Sequence, residues 1–511
     1  MATPSEKLAE SLQALKELQQ EGRVAIQSSD LSRTHRERLL KNGFLQSVMK
    51  GWYIPSRPDE QKGESTSWYA SYWSFCAAYL SMRFGKRWLL SSEQSLLIHT
   101  GNRTVPRQLL VKTEQGSNNI VQLPFNTSLL DIKGNLPATK NIEEKESLLI
   151  YKLPPALVEC SPNFFLQRPT DARAALAMVR DASDVLEILL DGGHSTIAGR
   201  LAGAFRNIGR ERIADDIIAG MKAAGYEVRE SDPFDNKPPI LLKSREQSAY
   251  VSRLRLMWHE MREPILTSFP TPTGIPSNID SYIKNIEESY ASDAYHSLSI
   301  EGYQVTPQLI ERVHSGDWNP DQNSADQQDR NALAARGYWQ ANLAVRESIK
   351  KIMKGKNPGE VADQDHGLWY REMFSPSVTA GLLKPSDLAG YRNMSVYIRR
   401  SMHVPPSQET VRDAMPAFFD LLREESEPAV RAVLGHFVFV YIHPYMDGNG
   451  RIGRFLMNAM LASGGYRWTI IPVERRNEYM SSLEAASVDQ NIKPFADFIS
   501  SLLTKTGALV E

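Results

Sequence analysis

His443-Pro444-Tyr445-Met446-Asp447-Gly448-Asn449-Gly450-Arg451-Ile452-Gly453-Arg454 joins two apolar segments, PAVRAVLGHFVFVYI over Pro428–Ile442 and RIGRFLMNAMLA from Arg451. Pro444 lacks an amide hydrogen and restricts the residue before it, so the first segment, read as a helix, ends near His443. Gly448-Asn449-Gly450 is a tight turn that admits positive φ and leaves backbone N–H groups free. The second segment reads as a helix whose positive end faces this turn, and such an end binds anions. Arg451 and Arg454 are three apart and project from neighbouring positions. Two guanidinium groups beside an anion site point to a polyphosphate rather than one carboxylate. Asp447 can hold Mg²⁺ together with phosphate oxygens and waters. His443 is the residue type that takes a proton from a hydroxyl near neutral pH. This inventory fits attack of a hydroxyl on a Mg-bound phosphoryl centre, catalysed mainly by positioning and charge stabilisation.

The rest of the chain sets bounds on that site. Its 511 residues are too many for one core and point to several domains. Hydrophobic residues make up 41% and charged residues 23%, as in an ordinary globular protein, and the net charge of −1 excludes a strong overall field. Cys76 and Cys160 are the only cysteines, which fits a reducing compartment rather than a disulfide framework. The polar start MATPSEKLAESLQ has no signal-peptide core. Tyr69–Leu80 and Ala432–Ile442 are too short to span a bilayer and read as buried helices. A soluble cytoplasmic protein without membrane partners is expected.

Residues 1–60 read as helix, short strand, two helices and a strand pair, a winged helix-turn-helix. Glu6–Gln20 carries Leu8, Leu12, Leu15 and Leu18 at helical spacing, and Asn42-Gly43 and Lys50-Gly51 mark turns. Between Gly22 and Arg57 seven Lys/Arg face only Asp30 and Glu37. A helix bearing Arg33 and Arg36, with Lys50 on the wing, would contact DNA. A protein-contact module with a solvated basic face fits the same residues. Residues 61–169 read as mixed α/β and 170–263 as helical. Pro264, Pro270, Pro272, Gly274 and Pro276 make 264–276 a linker, because proline removes donors and fixes φ. Residues 277–511 form the remaining domain. The whole reads as multidomain and mainly α.

The motif resembles that of the Fic family, H-x-F-x-[D/E]-G-N-G-R-x-x-R, with Tyr445 in place of phenylalanine. The resemblance runs from about Ile279 to Leu503 and includes Ala334-Ala335-Arg336-Gly337-Tyr338, Tyr466–Pro472 and Lys493-Pro494-Phe495. It implies an all-α Fic fold with a β-hairpin flap at Val396–Pro406, whose core Ile398-Arg399-Arg400-Ser401 would align a target chain by main-chain pairing. It also implies a protein adenylyltransferase. His443 would deprotonate a Ser, Thr or Tyr hydroxyl of a target protein, and the oxygen would attack the α-phosphate of ATP. Asp447 would bind Mg²⁺, Gly448, Asn449 and Gly450 would cradle the phosphates, and Arg451 and Arg454 would grip them. Tyr479 would line the adenine pocket, while Met480 and Ser487 depart from the Tyr and Asn of some relatives. Residues 1–60 resemble the winged-helix domain of AbiEi-like antitoxins, a likeness that 61–260 continue loosely.

Upstream, Ser297-Leu298-Ser299-Ile300-Glu301-Gly302 places Ser297 and Glu301 on one helix face, with Gly302 as the helix stop. It resembles the family's inhibitory sequence, in which Glu301 would pair with Arg454 and leave ATP misplaced. The same glutamate would serve a reverse reaction, removal of AMP from a modified protein. A DNA-binding regulator with an ATP-sensing core is a further reading, and a homodimer is compatible with the family.

Overall fold

The computed structural model describes residues 3–58, 60, 64–234, 248–316 and 330–504. Contacts divide it into two compact units, Met1–Arg253 with Tyr397–Val404, and Leu254–Val396 with Pro405–Glu511. Mainly α, it carries only small sheets. No helix among the described residues is long and apolar enough to cross a membrane.

The first unit opens with α1 (Pro4–Gln20), β1 (Ile26–Gln27), α2 (Arg33–Lys41), β2 (Leu45–Met49) and β3 (Trp52–Pro55), the strands pairing in the order β1-β3-β2. One helix, not two, separates β1 from β2. The segment before α2 is a turn closed by Asp30, whose carboxylate accepts the Gln27 amide at 2.7 Å. Leu15, Ile26, Leu31, Leu39 and Leu45 form the small core beneath. Next comes α3 (Thr66–Phe84), the buried helix expected around Tyr69–Leu80. It packs on a mixed sheet in which β4 (Leu89–Leu90) and β5 (Gln108–Thr113) pair with β7 (Thr127–Lys133) and β6 (Ile120–Leu123), in the order β4-β5-β7-β6. Helix α4 (Ser92–His99) follows β4, and α5 (Leu153–Glu159), α6 (Pro162–Gln167), α7 (Pro169–Met178), α8 (Ser183–Asp191), α9 (Ser195–Asn207) and α10 (Glu211–Ala223) fill most of Leu153–Ala223, beginning ahead of the region read as helical, 170–263. Cys76 and Cys160 are both free and buried.

The second unit contains α11 (Ala249–Ser268) beyond Arg253, α12 (Ile279–Ile300), α13 (Pro307–Ser315), α14 (Arg330–Met353), α15 (Pro358–Thr379), α16 (Gln408–Glu424), α17 (Pro428–Ile442), α18 (Asn449–Ala462), α19 (Arg476–Val488) and α20 (Lys493–Thr504). Helix α11 runs through Pro264, into the stretch expected to be linker. Packing overrides the missing backbone donor: Trp258, Met261 and Ile265 are buried, and Arg262 pairs with Glu425 at 3.1 Å. The chain after α11 is also tied down. The Gly274 amide donates to the Gly464 carbonyl at 3.0 Å and the Thr273 hydroxyl to that of Gly465 at 3.0 Å. Helix α17 is apolar on nearly every side and is buried accordingly, with Val430, Leu434, Phe437 and Val438 fully enclosed. This rigid rod carries the imidazole.

Candidate active site

Helix α17 ends where proline stops it. His443 is its C-cap residue, with φ +55°, and its amide still donates to Phe439 at 3.0 Å. A left-handed conformation costs a side-chain-bearing residue about 1–2 kcal/mol, so the surroundings must hold it there. The half-buried imidazole places Nδ1 3.0 Å from the Val440 carbonyl. A carbonyl only accepts, so Nδ1 carries the hydrogen and Nε2 keeps its lone pair. Burial pushes the imidazole pKa down to about 4, reinforced by the Arg392 guanidinium and opposed by the Val440 hydrogen bond and the charges of Glu301 and Asp447. His443 is therefore neutral at pH 7.

Helix α18 begins at Gly448, whose φ of +83° and lack of a side chain leave its first turn without a side-chain cap. A Cβ there would lie 2.8 Å from the Phe374 ring, so space as well as backbone demands glycine. Asn449, expected to cradle phosphates, turns its amide inward: Oδ1 accepts the Tyr445 amide at 2.9 Å and Nδ2 donates to the Tyr445 carbonyl at 2.8 Å. Its side chain shapes the turn. Tyr445 packs beneath the turn, stacked on Tyr370 with ring centroids 3.8 Å apart.

The two motif arginines are both buried. Arg451 reaches the Asp447 carboxylate at 3.3 Å, and its guanidinium lies over the rings of Phe374 at 5.0 Å and Tyr303 at 5.2 Å. Arg454 donates from Nε to the Ser297 hydroxyl at 2.9 Å, and from Nη2 to the Ser297 carbonyl at 3.0 Å and the Glu301 carboxylate at 2.8 Å. Its Nη1 is a buried donor without a hydrogen-bond partner among the described residues. Burial lowers the Arg454 pKa, but the charge of Glu301, the neighbouring Tyr479 and Tyr338 and the Glu301 hydrogen bond together outweigh it and hold it raised. Helix α12 thus ends at the motif, with Gly302 at φ +90° as expected of a helix stop. The Glu301 carboxylate lies so close over the turn that a Cβ on Gly450 would meet Oε1 at 2.4 Å.

Asp447 stands at the mouth with its side chain 62% exposed, and its Oδ1 accepts the Gly448 amide at 2.6 Å. Among the described residues no group of three His, Cys, Asp or Glu side chains could hold a metal alone. One exposed carboxylate beside a phosphate site is nevertheless what Mg²⁺ uses when phosphate oxygens and waters fill its shell, so Asp447 fits that ion.

The Fic/DOC family model matches residues 367–461, which enclose this turn, the end of α17 and the start of α18. Over these residues the chain is similar to Fic domains. The chain is similar to the protein adenylyltransferase Fic of Nematostella vectensis, 27% identical over 285 residues, or 54% of this chain and 60% of that one. The Drosophila willistoni protein of the same name is 30% identical over 226 residues, 43% of this chain and 41% of its own. The chain thus spans between about two fifths and three fifths of the length of these curated relatives. Among solved structures, Fic-1 (aa134–508) from C. elegans is 19% identical and covers 68% of this chain and 92% of that one, at a TM-score of 0.36 that carries no argument.

Outside the motif, Tyr479, expected to line the adenine pocket, lies in the interior. It is buried, its hydroxyl lies 2.7 Å from Nε2 of His436, and burial pushes its pKa up to about 12. Val396–Pro406 contains no strand. It turns at Ile398–Ser401, where the Ser401 amide donates to the Ile398 carbonyl at 3.2 Å and Arg400 is left-handed at φ +60°. Ladder pairing is replaced by other ties: the Val105 amide donates to the Met402 carbonyl at 2.8 Å, the Arg400 amide to the Thr66 hydroxyl at 3.2 Å, and Arg399 pairs with Glu64 at 2.8 Å. Residues 397–404 accordingly group with the first unit.

The basic N-terminal residues are also placed. Arg33 is exposed and pairs with Glu37 at 2.7 Å, and Lys50 is exposed at its turn. Arg36 donates to the Ser28 carbonyl at 2.7 Å and lies over the Tyr53 ring at 5.7 Å. It holds its own module together. Sequence reasoning missed Tyr303, Phe374 and Arg392. Aromatics over a guanidinium leave no spacing signal, and Arg392 is a lone arginine in a loop.

Proposed function

We propose that this chain is a protein adenylyltransferase held in check by Glu301. The observation that carries the reading is a neutral imidazole with Nε2 free, next to a glycine turn whose uncapped helix start and buried Arg454 collect negative charge. His443 Nε2 takes the proton of a Ser, Thr or Tyr hydroxyl on a target protein. The oxygen bonds to the α-phosphorus of ATP, the bond from that phosphorus to the bridging oxygen breaks, and pyrophosphate leaves with the electron pair. The amides of Gly450 and Arg451 face the phosphates, and Arg454 meets the terminal one once Glu301 releases it. Asp447 would hold Mg²⁺, which neutralises phosphate charge when bound.

Glu301 competes with that terminal phosphate for the same guanidinium. While the pair persists, the triphosphate sits out of line, and misplacement of about 1 Å costs on the order of a hundredfold in rate. Incubation with ATP and Mg²⁺ followed by mass spectrometry tests the reading. A gain of one AMP, abolished by His443→Ala, is expected, and no gain even in Glu301→Gly would overturn it. Glu301-dependent release of AMP from a modified protein would instead put the reverse reaction first.

A further inference from the structure

Arg392 belongs to no motif, yet its buried side chain ends on backbone carbonyls at both ends of two functional segments. Nε donates to the carbonyl of His443 at 2.8 Å, and its own amide donates to that of Pro444 at 2.9 Å. Nη1 donates to the carbonyl of Met394 at 2.9 Å and Nη2 to that of Pro406. The first pair fixes the two peptides that follow the imidazole. The second fixes the feet of the segment proposed to receive the target chain.

From this geometry we infer that Arg392 is a positioning residue for the group transfer, setting the direction of the His443 imidazole and the anchorage of segment 394–406 through one guanidinium. The inference rests on the transfer reading of the site. His443 is left-handed, so its ring direction depends on how the peptide after it is held. Two hydrogen bonds from one residue hold it on consecutive carbonyls. A planar fork with several fixed donors meets three separate backbone carbonyls, and a lysine ammonium at the end of a flexible stem does not. The hydrogen bonds given above for Arg392 end on His443, Pro444, Met394 and Pro406, and none of them ends on the turn at Gly448–Gly450 or on Arg454.

Arg392→Gln and Arg392→Lys, each made in the Glu301→Gly background, test this on the whole chain. Four quantities are read: affinity for Mg-ATP by calorimetry, thermal midpoint, incorporation of label from α-labelled ATP into the protein itself, and the ¹⁵N imidazole shifts of His443. Arg392→Gln is expected to lower incorporation about a hundredfold, the penalty of an ångström-scale misplacement, with Mg-ATP affinity unchanged and the His443 resonances moved. Arg392→Lys is expected to restore part of the rate. Incorporation by a folded Arg392→Gln protein near the background rate would overturn the inference. So would a loss of Mg-ATP affinity parallel to the loss of rate, in either variant. If Arg392→Gln does not fold, Arg392→Lys carries the same comparison. If the background binds Mg-ATP but incorporates nothing, the transfer reading fails instead, and the imidazole shifts alone decide the inference: unmoved shifts refute it.

Discussion

Helix α2 presents Arg33, Arg36 and Arg38 within its first two turns, and α18 presents Arg451 and Arg454 within its first two. In α2 the Ser32 hydroxyl accepts the His35 amide at 3.2 Å, so the helix start is closed by its own side chain. Arg36 and Arg38 then fold back onto backbone carbonyls of the same module. In α18 glycine stands at the cap, the first turn stays without a side-chain partner, and Arg454 is held by a carboxylate on another helix. The composition of the two starts is similar. The difference lies in what closes the helix end and in whether the arginine's partner is a fixed carbonyl or a displaceable acid.

Five measurements sharpen or break that contrast. His443→Ala should lower AMP transfer by about 10²–10⁴-fold, the usual range for a positioned base, with Mg-ATP binding retained. A smaller loss in labelled-ATP assays would detach the imidazole from the chemistry. Glu301→Gly should raise transfer by on the order of a hundredfold, because the acid that occupies Arg454 is gone. Rates at or below the parent's would mean the partner of Arg454 is structural, like the carbonyls that hold Arg36. The pH profile comes next. Because the His443 pKa is lowered to about 4, the base stays unprotonated as pH falls from 7.5 to 5.5, and kcat/KM should hold nearly level. An imidazole at its ordinary pKa near 6.5 would lose about tenfold over that interval. The smallest effects belong to α2. Arg36→Ala should cost about 1 kcal/mol in denaturant unfolding, for charged hydrogen bonds to the Ser28 and Leu31 carbonyls that are partly open to solvent. Arg33→Ala should leave both the thermal midpoint and any DNA affinity of the whole chain unchanged. A reduced salt slope in Arg33→Ala would place a DNA contact on α2.

The catalytic turn was legible because local rules agree there. Proline stops a helix, glycine starts the next, and the arginines keep helical spacing, so the place of His443, the turn and the neighbouring Arg451 and Arg454 follow from short-range pattern, whereas the ion pair of Arg454 with Glu301, 153 residues away, was expected only from the family resemblance. Where long-range packing decides, the sequence misleads. Pro264 predicts a break, but buried neighbours carry the helix past it. Tyr479 matches a pocket position, but its hydroxyl is drawn to His436 in the interior. The resemblance implies a β-hairpin at 396–406, but beyond the turn that joins Ser401 to Ile398 its main-chain groups find partners at Thr66 and Val105. Arg392 was invisible for the same reason: its acceptors are backbone atoms, which composition does not reveal.

The two buried cysteines have a practical consequence. Burial pushes the Cys160 thiol up to about 12 and that of Cys76 higher still, so neither forms the reactive thiolate near neutral pH. The native chain is therefore a silent background for maleimide chemistry. A single cysteine placed at Met446, 43% exposed beside the turn, would carry a fluorophore that reports nucleotide arrival without removing either native thiol.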